Sequence, residues 1–468
     1  MAVMSIAENM SPVDRTWLLM ERPTNPMVVM GLLILNRPLR RAALRQVVAR
    51  RFLAFERFRC VPVIDTLGGR WLHYEQFNLD DHVLRIALPA PAGKRELEAL
   101  AGELASSPLN PGRPLWTFHL IERYQEGSAL IVRIHHCYAD GIALMHVLAT
   151  LADEDPGGTG GAPFASLIGT PAVSFARGPG LLKQSLRQAA DLFVKSVHYT
   201  LHPLEAATAT REAIGIAGEI ARLGVLLADD PATRLKQPLT GVKHVAWGEP
   251  LALEEVRTVG RVLGCTVNDV LIATLAGALG RYLDAKGERT AGVTIRAAAP
   301  VNLRSGDGSS FELGNHFGLA FVDLPIGIRH PLQRLYAVHT TMQALKGSPE
   351  ALVTFGLLSL VGSLPTAVEE PAIAWFSAKA SLVASNVRGP SRPLHLAGAQ
   401  VSQLLFWVPQ TGGIGVGISM FTYKEEVQVS VIADRGLVPE PSELVSIIHT
   451  EFDRLVLLVL LGGGAIVD

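Results

Sequence analysis

The chain has 468 residues, 49% of them hydrophobic and 18% charged, with 42 basic against 43 acidic side chains and a mean hydropathy of +0.28. That length exceeds what one hydrophobic core organises and predicts two domains. The apolar composition excludes a disordered chain, and the near-neutral charge gives no electrostatic reason to expect nucleic acid as a partner.

In chain order, the opening MAVMSIAENMSPVD has no basic start leading into an apolar stretch, so no secretory signal is expected. Strands are predicted at MVVMGLLIL (27–35) and ALIVRIHH (129–136), and helices at PLRRAALRQVVARRFL (38–53) and ELEALAGELASS (96–107). In the first of those helices Arg40, Arg41, Arg45, Arg50 and Arg51 accompany Leu39, Leu44, Val47 and Val48. Such a pattern suits either an anionic lipid surface or an ordinary solvated helix face. Residues 153–180 are rich in glycine, proline and small side chains and read as a mobile crossover. Helical stretches at 181–202 and 211–229 are expected to bridge the two halves.

Beyond residue 240 the pattern is again mixed: HVAWGEPLA as strand, LEEVRTVGRVLG and VNDVLIATLAGALGRYLDAKG as helices, TIRAAAPVNLR as strand. The reading is therefore an α/β protein of three segments: 1–155, a linker at 156–240, and 241–468. GGIGVGISMF (412–421) suits a channel wall or a buried strand. LVLLVLLGGGAIV (455–467) is too short to span a bilayer and reads as a buried terminal helix or a patch resting on lipid. Cys60, Cys137 and Cys265 form no C-x-x-C pair, which argues against a disulfide framework or thiolate zinc site and fits a reducing cytoplasm.

The stretch RIHHCYADGIALMH (133–146) concentrates the chemistry. Neighbouring side chains on a strand point to opposite faces, so His135 and His136 cannot easily share one metal, and no third ligand stands at a metal-binding spacing. Packing explains His135 well. His136, at the meeting of a strand, a turn and a helix start, suits a general base, because neutral imidazole can take a proton from a hydroxyl as its oxygen attacks a carbonyl. Asp140 is expected as the helix N-cap or an arginine's partner, with Gly141 easing the turn. No G-x-S-x-G elbow is present and Cys137 points away, so direct transfer without an acyl-enzyme is expected.

HHCYADG fits the HHxxxDG signature of the CoA-dependent acyltransferase superfamily. The chain further resembles the bacterial wax ester synthase/diacylglycerol acyltransferases through MSPVDRTWLLMERPTNPM, PLNPGRPLW, VNDVLIATLAGALGRYL, PVNLR, LGNHFGLAFVDLP and SNVRGP, in the family's order over about residues 10–435. The resemblance implies two chloramphenicol-acetyltransferase-like domains, each a mixed sheet with flanking helices, facing across a tunnel with His136 midway. It implies transfer of a fatty acyl group from acyl-CoA to a long-chain alcohol or to diacylglycerol. Acyl-CoA would be a substrate, with no cofactor or metal. The expected setting is the cytoplasm, at the inner membrane face or at lipid inclusions.

By the same likeness His135 supports His136, Asp140 pairs with Arg304, and Ser385 and Asn386 are candidate oxyanion donors, although turn chemistry also accounts for SNVRGP. Arg388 stands there where many relatives have proline. Asn268 and Asp269 match the family's ND pair, and their position at a helix start predicts capping. In PLNPGRPLW, Asn110 replaces the usual aspartate, and Pro114, Leu115 and Trp116 are expected to shape the tunnel. A condensation-type enzyme using carrier-bound acyl groups and a catalytically silent lipid-droplet protein are the competing readings.

Overall fold

The computed structural model describes residues 6–65, 68–153, 227–304, 313–346, 348, 350–362 and 369–462. The expected crossover beyond residue 153 and the bridging helices up to residue 226 lie outside the described residues. What is described is a mixed α/β architecture of three sheets with flanking helices.

A small antiparallel sheet near the N-terminus has the order β1-β4-β3, from Ile6–Asn9, Gly68–His73 and Cys60–Asp65. The first large sheet is built on β2 (Val28–Leu35), β5 (Val83–Arg85), β6 (Trp116–Tyr124) and β7 (Gly127–His135). Here β2 and β7 pair antiparallel from Val28 opposite His135 to Leu35 opposite Ser128. Every residue of β7 is buried, so its run of apolar side chains need not alternate with polar ones.

The second large sheet holds β8 (Lys243–Trp247), β9 (Leu251–Ala252), β10 (Ile295–Asn302), β11 (Phe317–Leu324), β12 (Leu382–Arg388), β15 (Val416–Tyr423) and β16 (Glu426–Asp434). Its path is β11-β10-β12-β15-β16-β8, with β9 beside β16. Strand β12 runs parallel between β10 and β15, and its C-terminal half lines the same cavity as His136.

The sheets do not divide the chain at residues 155 and 240. Strands β13 (His395–Leu396) and β14 (Ala399–Trp407) leave the second half and join the first sheet, β14 pairing antiparallel with β2 from Val401 opposite Leu35 to Trp407 opposite Met30. Helix α3 (Lys94–Ser106) of the first half lies on β8 of the second, so closely that a Cβ on Gly102 would stand 2.7 Å from the Lys243 carbonyl. A third hydrophobic cluster, including Met30, Leu97, Trp247 and Trp407, fills that junction.

Helix α1 (Pro12–Leu19) starts at Ser11, whose hydroxyl accepts the Asp14 N–H. It lies against the helix Glu350–Val361, with Thr16 Oγ1 donating to the Leu358 carbonyl at 2.7 Å and Arg15 to that of Gly362 at 2.7 Å. The arginine-rich helix α2 covers Arg41–Arg50 and then tightens into a short 3₁₀ turn, where Phe52 and Leu53 enter the core. Arg41 and Arg45 pair with Asp80, and Arg51 caps the carbonyls of Leu151 and Ala152, while Arg40 and Arg50 stay exposed.

The terminal helix Pro441–Leu460 buries Leu444, Ile448, Phe452 and Leu455 and exposes Leu457, Leu460 and, just beyond it, Leu461. The helix is thus buried along one face, and its last turn is exposed. Among the described residues no single helix is long and apolar enough to cross a membrane.

Candidate active site

The two histidines take different partners, as the end of a strand requires. His135, the last residue of β7, is 1% exposed; its N–H donates to the Leu115 carbonyl at 2.9 Å. Its Nδ1 accepts the Cys137 N–H at 3.1 Å, which leaves Nε2 carrying the proton that it donates to Glu21 at 2.9 Å. Burial raises the Glu21 carboxyl, but the His135 hydrogen bond and the surrounding charges outweigh it and leave the group below the usual carboxylate range.

His136 turns the other way. Its ring stacks on Trp17 at 4.3 Å with a 21° interplanar angle, and Phe317 lies 5.5 Å off. The backbone is held at both ends: the N–H donates to the Met27 carbonyl at 2.7 Å, and the carbonyl accepts from Asn315 Nδ2 at 2.8 Å. Asn315 is fixed in turn by Asp14, whose Oδ1 accepts both its backbone and its side-chain N–H, at 3.0 and 2.8 Å.

Burial lowers the His136 pKa to about 4, with the charge of Asp140 only partly opposing it, and Nδ1 has no hydrogen-bond partner among the described residues. The imidazole is therefore neutral at pH 7, the form a base needs. For kcat/KM, a base titrating at the ordinary 6.5 would leave about 3% of the enzyme competent at pH 5, whereas one near 4 leaves about 90%. We expect the acid limb to stay flat down to about pH 5, and a midpoint near 6.5 would contradict this environment for the ring. The same shift bears on stability. Between pH 6.5 and 4 the unfolded chain binds the extra proton, so the contribution of His136 is complete above 6.5 and is lost as pH falls through that window.

Asp140 is both cap and ion-pair partner. Oδ1 accepts the Ala143 N–H at 2.9 Å at the start of helix α4 (Gly141–Leu151). Oδ2 accepts Arg304 Nη2 at 2.8 Å, Arg304 Nε at 3.2 Å and the His316 N–H at 3.0 Å. Burial raises this carboxyl, but the Arg304 charge and these donors prevail, and it sits below its ordinary value. Gly141 is not needed for its backbone angle, since its φ is not positive; a Cβ there would meet nothing within 4 Å, and its bareness widens the space beside His136.

That space is a cavity of about 150 Å³ between the two large sheets. Its wall is mostly apolar: Val29, Gly31 and Ile134 from the first sheet, Ala298, Leu319 and Phe421 from the second, Met145 and Leu148 from α4. His136, Ser385, Asn386 and Arg388 also line it. Ser385 is 2% exposed, and its hydroxyl has no protein partner among the described residues. Asn386 differs, because its Nδ2 donates to Asn268 Oδ1 at 2.9 Å.

The ND pair also divides. Asp269 closes a capping box with Thr266 and pairs with His339 at 2.8 Å, while Asn268 turns to Asn386 instead of capping. Cys265, Asp269 and His339 bring donor atoms within 4.8 Å of one another, but burial pushes the Cys265 thiol up to about 11 and none of the three lines the cavity.

Pro114, Leu115 and Trp116 do not line the cavity. They flank the histidine strand within the sheet, Leu115 accepting the His135 N–H and Trp116 standing opposite Ile134. Trp116 is fully buried, stacks on His82 at 4.2 Å and donates its indole N–H to the Phe58 carbonyl at 2.7 Å. We expect Trp116→Ala to cost about 3–5 kcal/mol in denaturant unfolding, the range for an aromatic lost from a packed core. Sequence reasoning missed Trp17, Glu21, Asp14, Asn315 and Phe317. The available signal was polar residues set within apolar stretches of MSPVDRTWLLME and LGNHFG.

Two sheets enclosing a cavity with a histidine on its wall make a fold shared with acyl-transferring and condensation domains. The chain aligns with the wax ester synthase/diacylglycerol acyltransferase of Marinobacter aquaeolei VT8 at a TM-score of 0.66 and 22% identity, covering 96% of this chain and 99% of the other. It aligns with the first condensation domain of the calcium-dependent antibiotic synthetase at 0.59 and 15%, covering 98% and 96%. These two likenesses establish the fold.

Residues 10–271 match the wax ester synthase/diacylglycerol acyltransferase catalytic domain, and residues 313–456 match the C-terminal domain of the same family. A Mycobacterium tuberculosis H37Rv protein named a probable diacylglycerol O-acyltransferase is 30% identical over 418 residues, 86% of this chain and 84% of its own length. The chain belongs to the wax ester synthase/diacylglycerol acyltransferase family and is an acyltransferase.

Proposed function

We propose that the chain moves a long-chain fatty acyl group from acyl-CoA to a long-chain alcohol or a diacylglycerol by direct attack, with His136 as general base. The observation that carries this reading is a neutral, buried imidazole on the wall of an apolar cavity between the two sheets. An acyl chain needs such a wall, and a hydroxyl needs such a base.

The ring nitrogen facing the cavity takes the acceptor's O–H proton as that oxygen bonds to the thioester carbonyl carbon. The carbonyl electron pair moves onto oxygen and gives a tetrahedral oxyanion, to which Ser385 is a hydroxyl donor on the wall. Collapse breaks the C–S bond, and the imidazolium returns its proton to the leaving thiolate. Cys137 plays no part, because burial raises its thiol well above the usual range. Asp140 and Arg304 hold the turn and do not exchange the proton. Acyl-CoA is consumed as substrate, and the scheme uses no cofactor or metal.

Lipid-soluble acceptors favour a protein resting on the inner membrane face or on lipid inclusions in the cytoplasm. Exposed Leu457, Leu460 and Leu461, at 54%, 76% and 71%, support contact with such a surface. Purified protein given palmitoyl-CoA with hexadecanol or diacylglycerol should release free thiol with each acceptor it uses. Turnover only with a carrier-bound acyl group would overturn the proposal.

A further inference from the structure

Charged groups on the cavity wall are few. Asp140 reaches it, but its charge is met by Arg304. Arg388, the last residue of β12, is the one lysine or arginine on that wall among the described residues. Its side chain is exposed and has no acid, carbonyl or ring partner among the described residues. An exposed side chain can line a cavity only where the cavity meets solvent, so Arg388 marks a mouth.

The backbone there is pinned. The Gly389 N–H donates to the Thr422 carbonyl at 2.8 Å, and the Lys424 N–H donates to that of Pro390 at 2.8 Å. Ser385 lies three residues earlier on the same strand, roughly 10 Å away at the usual rise, and alternation sets its side chain on the other face, so Arg388 borders the cavity from the strand's end. One strand thus carries the hydroxyl nearest the proposed chemistry and, further along, an unspent cation at the opening. Arg392, across the turn and also exposed, adds positive charge. A guanidinium offers paired N–H groups to phosphate oxygens, a match that a lysine makes less well.

We propose that Arg388 is a substrate-binding residue that holds a phosphate of the acyl-CoA at the cavity mouth, while the pantetheine arm runs beside β12 toward His136. This assignment rests on the acyl-CoA reading above. It makes Arg388 a determinant of the donor's form, separating CoA thioesters from thioesters without phosphate.

The test uses the full chain with palmitoyl-CoA and with S-palmitoyl-N-acetylcysteamine, which carries no phosphate, at a fixed acceptor concentration. For Arg388→Ala we expect KM for palmitoyl-CoA to rise roughly tenfold, as for loss of a hydrogen bond to a charged group. The ratio of kcat/KM for the CoA thioester over the phosphate-free one should fall about as much. Arg388→Lys should recover part of it, and added salt should shrink the difference. Equal losses with both thioesters, or no loss with either, would overturn the assignment. An unchanged ratio with weaker co-sedimentation on phosphatidylglycerol vesicles would give the phosphate to a lipid and overturn it too. Failure of the unsubstituted protein to release thiol from palmitoyl-CoA would remove the acyl-CoA reading and this one together, whereas the other outcomes remove this one alone.

Discussion

His136→Ala should lower kcat/KM for thiol release from palmitoyl-CoA by about 10²- to 10⁴-fold, the range that positioned general bases supply. The fold should survive. The ring's contacts are a stack on Trp17 and a tilted approach to Phe317, and the hydrogen bonds that hold residue 136 come from its backbone to Met27 and Asn315, which alanine keeps. A circular dichroism spectrum and unfolding midpoint close to those of the parent would separate lost chemistry from lost structure. His136→Gln, which restores polarity without basicity, should be no better than alanine. An alanine variant that kept its rate would overturn the role of His136 as the base.

Arg304→Ala should destabilise the protein by about 3–5 kcal/mol in urea unfolding, because it strands a buried carboxylate. Asp140 is 5% exposed at its side chain and Arg304 19%, so neither the pairing nor its loss is screened as on an open surface. Two backbone N–H groups, those of Ala143 and His316, would still meet Asp140. The double variant Asp140→Asn with Arg304→Ala should recover part of the loss, since asparagine keeps an acceptor for the helix cap and removes the charge. A cost under about 1 kcal/mol for the single change would mean that the pair behaves like an exposed one.

Much of this could be read from the chain before any coordinates. The strand ending at the histidines, the helix opening after Asp140 and the long helix from Val267 follow from local periodicity and capping, which are properties of a few neighbouring residues. The Asp140–Arg304 contact spans 164 positions and came through the family resemblance, not through any local pattern. The role of PLW was misjudged for a related reason: an apolar triplet reads identically whether it faces a cavity or a packed core. Trp116 faces the core. The clamp of Asp14 and Asn315 on the His136 carbonyl joins three distant segments, and only the folded chain brings them together.

The departure of residues 395–407 into the opposite sheet has a consequence for how the molecule can be taken apart. A fragment stopping near residue 240 would keep β2 paired with β7 on one side but bare the edge that β14 covers, from Met30 to Leu35, on an almost wholly apolar strand. Bare edges of that kind recruit strands from other copies, so such a truncation should aggregate, while adding a peptide covering 395–407 should restore solubility.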